Sequence, residues 1–456
     1  MAEDRGGVKL ELENYSPQLR TVLKQAEVGI GDMIRVKMPG STHQGILLPR
    51  PQIGGEADNI LIKLDNGYNI GLKYGPSVQI EKLSGKRRLE AFPSHELEPR
   101  GDLPEISIVA TGGTISSRLD YETGGVKWRM ESGQIFYMAP EIQEIASVKN
   151  VTTPFLVGSE NMSARHWKEM AAEVVRELNG GSEGVIVTHG TDVMHYSSAA
   201  LSFMIRDLDR PVVFTGSQRS TDRGSTDASM NLICSAVVAG SSEVGEVTLV
   251  MHGSIEDTYC FIHRGTRVRK MHTSRRDAFR SINELPIGMV WPDGRIEVTG
   301  EHVHRGRGEV SLDDAFEEKI ALLKFYPGME PELVDFLVDR GYRGIMMEVT
   351  ALGHLATDES QRNLIPSLER ALQEGVVIAA APQTLYGRTD PLVYSEGRKV
   401  WKLGVIYCGD MLPETAYVKL GWILGHDVDQ VEAGRMMLKS YAGEISPTSD
   451  PRAFLT

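Results

Sequence analysis

The apolar run Ile106-Ser107-Ile108-Val109-Ala110 stops abruptly at Thr111-Gly112-Gly113-Thr114-Ile115. A strand that ends on two glycines constrains the fold strongly. In α/β proteins such loops lie at the carboxyl edge of the sheet, where ligands bind. Glycine allows φ > 0 and lets backbone N–H groups come close to a ligand. Thr114 would carry a hydroxyl to that edge. Taken alone, the segment is equally well a tight turn that only needs glycine. Its meaning depends on the rest of the chain.

The same pattern recurs. Gly184 to Thr188, Pro211 to Gly216 and Glu246 to Met251 read as buried strands. Met194 to Ile205 and Ala228 to Val238 read as helices between them. This alternation is the signature of a mostly parallel sheet covered by helices. It restarts with strands at 344–349 and 375–380 and helices at 364–373 and 413–424, the last with Pro413 in the first turn, where proline is tolerated. Before it, a short helix from Pro17 to Ala26 is followed by alternating runs at 32–38, 59–64 and 68–72, with an Asn66-Gly67 hairpin signal. The expected organisation is a small all-β, barrel-like domain at 1–83 and a charged, proline-bearing linker at 84–104. A large α/β domain at 105–295 carries the site, a polar linker spans 296–320, and a smaller α/β domain occupies 321–456. The β-domain carries no reactive constellation and suits docking or spacing better than catalysis.

Composition enters where it excludes. A net charge of −13 argues against the whole chain being a nucleic-acid coat, which needs clustered Lys and Arg. The cysteines Cys234, Cys260 and Cys408 are widely spaced, so neither a zinc site nor a disulfide framework is indicated, and a reducing cytoplasm is expected. Met1-Ala2-Glu3-Asp4 lacks the features of a signal peptide, and no apolar run approaches membrane-spanning length, so no membrane association is expected.

Four stretches carry reactive side chains at strand ends. Thr111 to Thr114 is followed by the glycine-rich Asp120 to Gly125, a candidate lid on which Tyr121 could exchange a proton with a hydroxyl. Ser159 and Glu160 follow an apolar run and could grip an amino acid; a helix-capping role is the plain alternative. Thr191-Asp192, in Thr188-His189-Gly190-Thr191-Asp192, also reads as either site or helix cap. Arg264 to Arg280 holds Arg264, Arg267, Arg269, Lys270, Arg275, Arg276 and Arg280, either a solvated basic face or an RNA-contacting patch.

These residue types fit one mechanism. Threonine is a poor nucleophile until a base activates it. Partial burial or neighbouring cations can make a lysine that base. An aspartate can orient it or hold a substrate ammonium, and backbone N–H groups at glycine turns can stabilise an oxyanion. The sum is acyl transfer from a carboxamide to water, with release of ammonia.

Thr111 to Ile115 and Thr188 to Asp192, in this order, resemble the two signature motifs of the bacterial-type L-asparaginase family, over about residues 105–440. The stretches Arg269 to Asn283 and Cys408 to Leu420, with the added β-domain, narrow the resemblance to the family of D-type subunits of archaeal glutamyl-tRNA(Gln) amidotransferases. That resemblance implies an asparaginase-like two-domain α/β core. It implies Thr114 as the first-motif nucleophile, Tyr121 as the lid tyrosine, and Thr191, Asp192 and Lys270 as a Thr-Asp-Lys set. Gly113, Ser159 and Glu160 match substrate-binding positions, although asparaginases usually carry glutamine where this chain has Glu160. Val193 stands where threonine is common. His354 lies in a stretch that reaches a neighbouring subunit's site in asparaginases, on a loose local match. The implied activity is a glutaminase that supplies ammonia for converting Glu-tRNA(Gln) to Gln-tRNA(Gln). The implied partner is a tRNA-binding, E-type amidotransferase subunit that uses ATP and Mg, with a homodimer core in a heterotetramer and no cofactor in this chain. A free-standing L-asparaginase or glutaminase would use the same residues, and a non-catalytic binding module would keep only the fold. Lys270 is expected to turn inward while several arginines of its run face partner or tRNA. Which of Thr114 and Thr191 carries the acyl group stays open.

Overall fold

The computed structural model describes residues 12–50, 57–64, 69–83, 100–113, 139–220 and 225–454, and the backbone of the paired short strands Ser117–Leu119 and Val126–Trp128. The N-terminal domain is a five-stranded antiparallel sheet in the order Asn69–Lys73, Asn59–Lys63, Ser41–Leu47, Met33–Met38, Gln79–Lys82. Alternation in Met33–Met38 turns Ile34 and Val36 inward. They meet Leu47, Ile60 and Ile62, and the helix Pro17–Gln25 adds Leu19 and Leu23 to the same core. Tyr15 closes this core with its hydroxyl donating to Leu48 O at 2.7 Å, and burial pushes its pKa up to about 12. The strands Ser41–Leu47 and Gln79–Lys82 have too few apolar residues to stand out in the sequence. The expected Asn66-Gly67 turn lies outside the described residues, as does 84–99 of the expected linker. The end of that linker is docked: Arg100 N donates to Ser147 Oγ at 3.1 Å.

The large domain is an eight-stranded sheet, ordered Ile296–Val298, Gly288–Val290, Cys260–Arg264, Val247–His252, Val212–Thr215, Gly184–Thr188, Glu105–Ala110, Ser147–Thr152. The last five run parallel and the first three antiparallel. Side-chain alternation splits its two faces cleanly. Ile186, Val213 and Val250 face the helix Ala228–Ser241. Val185, Val187, Val212 and Phe214 face Ala164–Asn179 and Met194–Met204.

The smaller domain is a four-stranded parallel sheet, Ile320–Lys324, Gly344–Val349, Val377–Pro382, Ile406–Tyr407. One face, through Ile345, Met347 and Ile378, forms its own core. The other, through Met346, Ala379 and Ala381, joins the core of the large domain. The helix Pro413–Leu424 lies between them and is apolar nearly all round, as a helix buried on every side must be.

Residues 296–320, expected as a linker, are largely not one. Ile296–Val298 is an edge strand of the large sheet, and Ser311–Leu312 pairs with Ile205–Arg206. Between them, Arg305 donates to the Gly240, Ser242 and Glu183 carbonyls. The segment is polar because its arginine and backbone groups bond to the domain edge, not because it is free in solvent.

An ion pair with both side chains fully buried locks the C-terminal segment. Lys419 Nζ lies 2.6 Å from Glu444 Oε1 and also donates to the carbonyls of Met437 and Lys439 at 2.8 and 2.6 Å. Glu444 also accepts the backbone N–H groups of Tyr441 and Ala442. Removing one buried partner strands the other charge and costs about 3–5 kcal/mol, whereas replacing both with apolar groups is often neutral. We expect Glu444→Gln, which leaves the Lys419 cation buried without its counter-charge, to lower the denaturant midpoint sharply in equilibrium unfolding; an unchanged midpoint would contradict this.

Candidate active site

Three parallel strands, Glu105–Ala110, Gly184–Thr188 and Val212–Thr215, end side by side, and the loops after them meet. The contact is backbone on backbone. Gly112 and Gly113 have φ of 118° and 82°, a region that favours glycine. A Cβ on Gly113 would overlap Gly190, and one on Gly112 would overlap Val157. On Gly190 it would lie 2.8 Å from both Cβ and Oγ of Ser159. On Gly216 it would lie 2.5 Å from His189 O. The turn is pinned by Thr111, whose N–H and hydroxyl both donate to Thr188 O, at 3.0 and 2.9 Å. Glycine is therefore needed here so that four loops can touch, not merely to make one turn.

Into this junction come the expected side chains. Ser159 is buried and its Oγ accepts the Asp192 N–H at 3.3 Å. It does not cap the following helix, Ala164–Asn179, whose start is held by Ser163 with His166. Thr191 and Asp192 are not caps either: the helix Met194–Met204 begins at Val193 without a side-chain cap. Lys270 Nζ donates to Thr191 Oγ1 at 2.9 Å and to Asp192 Oδ1 at 2.7 Å, across a separation of 79 residues in the chain for the first pair. The Lys270 side chain is only 9% exposed whereas that of Asp192 is 67% exposed. The cation is thus shielded behind the threonine while the carboxylate faces the open side. Glu160 is exposed and accepts from the Asn161 amide at 3.3 Å; among the described residues no hydrogen bond joins it to the other site side chains. Gly113 stands against Gly190. Thr114 and Tyr121 lie outside the described residues. His354 lies in a tight turn of the smaller domain, with its N–H bonded to Thr350 O and its ring 4.9 Å from that of Tyr394.

Residues whose part in the site the sequence did not show hold Lys270 in place. It ends the strand Val268–Lys270, which pairs with Phe279–Ser281. Arg267 is fully buried, 3.1 Å from the equally buried Asp410, and donates to the Gly443 carbonyl at 2.9 Å. Arg269 pairs with Glu414 at 2.9 Å, where burial raises the carboxyl's pKa. Asn283 clasps Asp410 O and Gly387 O with its amide. The signal for these residues was the Cys408 to Leu420 stretch, which contains both Asp410 and Glu414. On the other side, Asp227 accepts the N–H groups of Gln218 and Arg219, and Asn231 donates to Gly216 O at 2.9 Å.

The basic run differs from expectation. Lys270 turns inward, but the arginines are not free for an outside partner. Arg264 pairs with Glu246 and Glu284, Arg275 and Arg280 with Asp277, and Arg276 with Asp257. The hydrogen bond from Arg275, backed by Arg280, holds Asp277 well below the usual carboxylate range. Each acid lies outside the sequence window or between the arginines, so the run looked more basic than it is.

The folded core and its Thr-Lys-Asp cluster define an asparaginase-type α/β protein. Residues 105–304 match the asparaginase N-terminal family model and 319–437 the glutaminase/asparaginase C-terminal domain. A solved thermostable L-asparaginase from Thermococcus kodakarensis is 29% identical, superposes with a TM-score of 0.68, and covers 75% of this chain and 100% of that one. Residues 28–83 match the GatD N-terminal domain. The D-type subunit of the glutamyl-tRNA(Gln) amidotransferase of Pyrococcus furiosus is 52% identical over 95% of this chain and 98% of that protein. The same-named protein of Methanothermobacter thermautotrophicus is 44% identical over 95% and 98%. The chain belongs to the GatD family, the D-type subunits of glutamyl-tRNA(Gln) amidotransferases.

Two histidines lie within this junction and a third behind it, all buried and neutral. Burial pushes His189 down to about 4, and burial with the nearby Arg269 and Lys270 charges pushes His195 down to about 3. Burial also lowers His263, whose Nδ1 lies 2.8 Å from Ser281 Oγ, to about 3. The folded pKa values fall below the ordinary 6.5, so the stability they carry is complete above pH 6.5. It is lost as pH falls toward 4 and then 3, because the unfolded chain takes up protons first. Each pH unit in that window costs about 1.4 kcal/mol per histidine. We expect the unfolding midpoint to fall between pH 7 and pH 5, and the slope to lessen in His263→Asn; a pH-independent midpoint would contradict this.

Proposed function

We infer that this chain is the glutaminase component of a tRNA-dependent amidotransferase, releasing ammonia for the conversion of Glu-tRNA(Gln) to Gln-tRNA(Gln). The observation that carries the reading is Lys270, hydrogen-bonded to Thr191 and Asp192 inside a chain whose near-full-length relatives bear the amidotransferase name. The Lys270 cluster supports the following chemistry. A threonine oxygen attacks the side-chain carboxamide carbon of glutamine as its proton passes to the base. Lys270 is placed to exchange that proton with Thr191. The tetrahedral oxyanion collapses, the C–N bond breaks, and the nitrogen leaves as ammonia with a proton from the same relay. Water then attacks the acyl ester, regenerating the threonine and releasing glutamate. We assign Thr114 the nucleophile's role by its motif position, Tyr121 the lid, and Thr191-Lys270-Asp192 the proton relay. The turn carrying Gly113 supplies backbone donors to the oxyanion, and Ser159 and Glu160 bind the amino acid. The open-facing Asp192 carboxylate suits a substrate ammonium.

This chain needs no cofactor for that reaction. ATP and Mg belong to an E-type partner, which binds the tRNA, and a homodimer of this chain forms the centre of a heterotetramer. The arginine pairings support leaving tRNA recognition to the partner. Among the described residues no helix is long and apolar enough to cross a membrane, and the three cysteines are buried and unpaired, which suits work in the cytoplasm.

The assay is ammonia release from glutamine by the chain alone, with its partner, and with partner plus Glu-tRNA(Gln). Turnover should rise with the full set. High asparagine turnover by the isolated chain, untouched by tRNA, would instead make it a free-standing asparaginase. We expect Lys270→Met and Thr191→Val each to lower ammonia release by at least ~10²-fold, the scale of lost acid–base assistance, with little change in unfolding midpoint. Near-normal release from either variant would remove that residue from the relay.

A further inference from the structure

At the opposite, amino-terminal edge of the parallel strands, the segment after Ile296–Val298 straps back across the domain. Gly245 N donates to Val303 O and Arg305 N to Glu243 O, both at 2.7 Å, and Val244 and His304 form an antiparallel bridge. These bonds fix two backbone strips side by side. They also bring three side chains together: Glu243 from one strip, His302 and His304 from the other. One ligand-type atom from each lies within 4.8 Å of the others.

His302 is the informative residue. Its side chain is only 8% exposed. Its Nδ1 lies 2.9 Å from Gly300 O. A carbonyl can only accept, so Nδ1 carries the hydrogen. In the neutral ring Nε2 is then a bare lone pair. That atom is buried, has no hydrogen-bond partner among the described residues, and lies 3.9 Å from Glu243 Oε1. The His304 ring stands edge-on to it with centroids 4.7 Å apart. An imidazole held by a carbonyl at one nitrogen and offering the other is the arrangement found at metal-bound histidines, where the second bond sets tautomer and ring direction. Two imidazoles and a carboxylate suit zinc-type cations and not calcium or magnesium, which take oxygen ligands.

We propose that Glu243, His302 and His304 bind a divalent transition metal of the zinc class, with water completing the coordination. The metal staples the strap at 299–310 to the edge of the large sheet. Zinc–nitrogen bonds of about 2.0–2.1 Å put tetrahedral ligands about 3.3 Å apart. The cluster must therefore tighten slightly, and the half-free Glu243 side chain, 61% exposed, can supply that movement. The site lies at the other end of the strands from Lys270, so it is structural and does not depend on the glutaminase reading.

The test uses the full chain, stripped with chelator and titrated with Co²⁺ as a visible-absorption probe, then with Zn²⁺ in competition. We expect one equivalent of Co²⁺ with ligand-field bands, displaced by Zn²⁺, and a Zn²⁺-dependent rise in thermal midpoint. His304→Ala, on the exposed side of the cluster, should keep the metal-free midpoint and ammonia release while weakening Co²⁺ binding at least ~10-fold and abolishing the Zn²⁺-dependent rise. Glu243→Gln should weaken binding in the same direction. Absence of Co²⁺ uptake at neutral pH by the unmutated chain would overturn the proposal and leave His302 as a proton-only partner of Glu243. Equal uptake by His304→Ala and the unmutated chain would overturn it by placing the metal elsewhere.

Discussion

The buried Arg267–Asp410 pair is the interaction on which the site depends. Both side chains are fully shielded from solvent, and all three guanidinium nitrogens are bonded: to Asp410, to the Gly443 carbonyl, and to Ser446 Oγ at 2.7 Å. Burying such a pair gives little net stability, because desolvation offsets the attraction. What it gives is a fixed place. Arg267 stands three residues before Lys270 in the chain and Asp410 sits at the smaller sheet's edge, so the pair clamps the strand carrying the lysine to the other domain. Arg269 with Glu414 repeats the clamp on the other side. The lysine reaches Thr191 from a strand that two neighbouring arginines tie to the other domain.

This explains what could be read from the sequence and what could not. Strand ends announce themselves: Gly112-Gly113 and Gly190 follow apolar runs, and their parallel strands place them together. Lys270 was legible through a family stretch, and its side chain turns inward to Thr191 while Met271 to Arg275 after it stay exposed. The roles of Arg267, Asp410 and Asn283 were hidden because each depends on a partner more than 100 residues away. The alternative roles for Ser159 and Thr191-Asp192 as helix caps were equally compatible with the sequence. Only the position of the true helix starts, at Ser163 and Val193, removes them. Thr114 and Tyr121 remain assignments by motif.

Domain boundaries were the least legible feature, for a physical reason. The helix Pro413–Leu424 and one face of the smaller sheet share a core with the large domain. Periodicity reports that a segment is buried, not against which neighbour. The strap at 299–310 misleads in the opposite sense. Its polarity suggested solvent, yet Arg305 donates to the Gly240, Ser242 and Glu183 carbonyls of the domain edge, and His302 is buried with its Nδ1 on Gly300 O. Polar composition distinguishes linker from strap only when the partners are known. His302-Val303-His304 went unnoticed for the same reason: its third ligand-type residue, Glu243, is far upstream in the chain.

The charge pattern between 264 and 280 makes the same argument in energetic terms. Seven cations in this run, six arginines and Lys270, meet the seven carboxylates Asp192, Glu246, Asp257, Asp277, Glu284, Asp410 and Glu414. Phosphate binding gains affinity when a cation on the protein replaces condensed counterions. A cation already held by a carboxylate offers no such gain, since binding a phosphate there breaks one ion pair to form another and leaves an acid beside the incoming charge. With a net charge of −13, the field of the chain also opposes a polyanion at distance. The arginines are therefore better understood as the frame that aims Lys270 than as a surface for RNA.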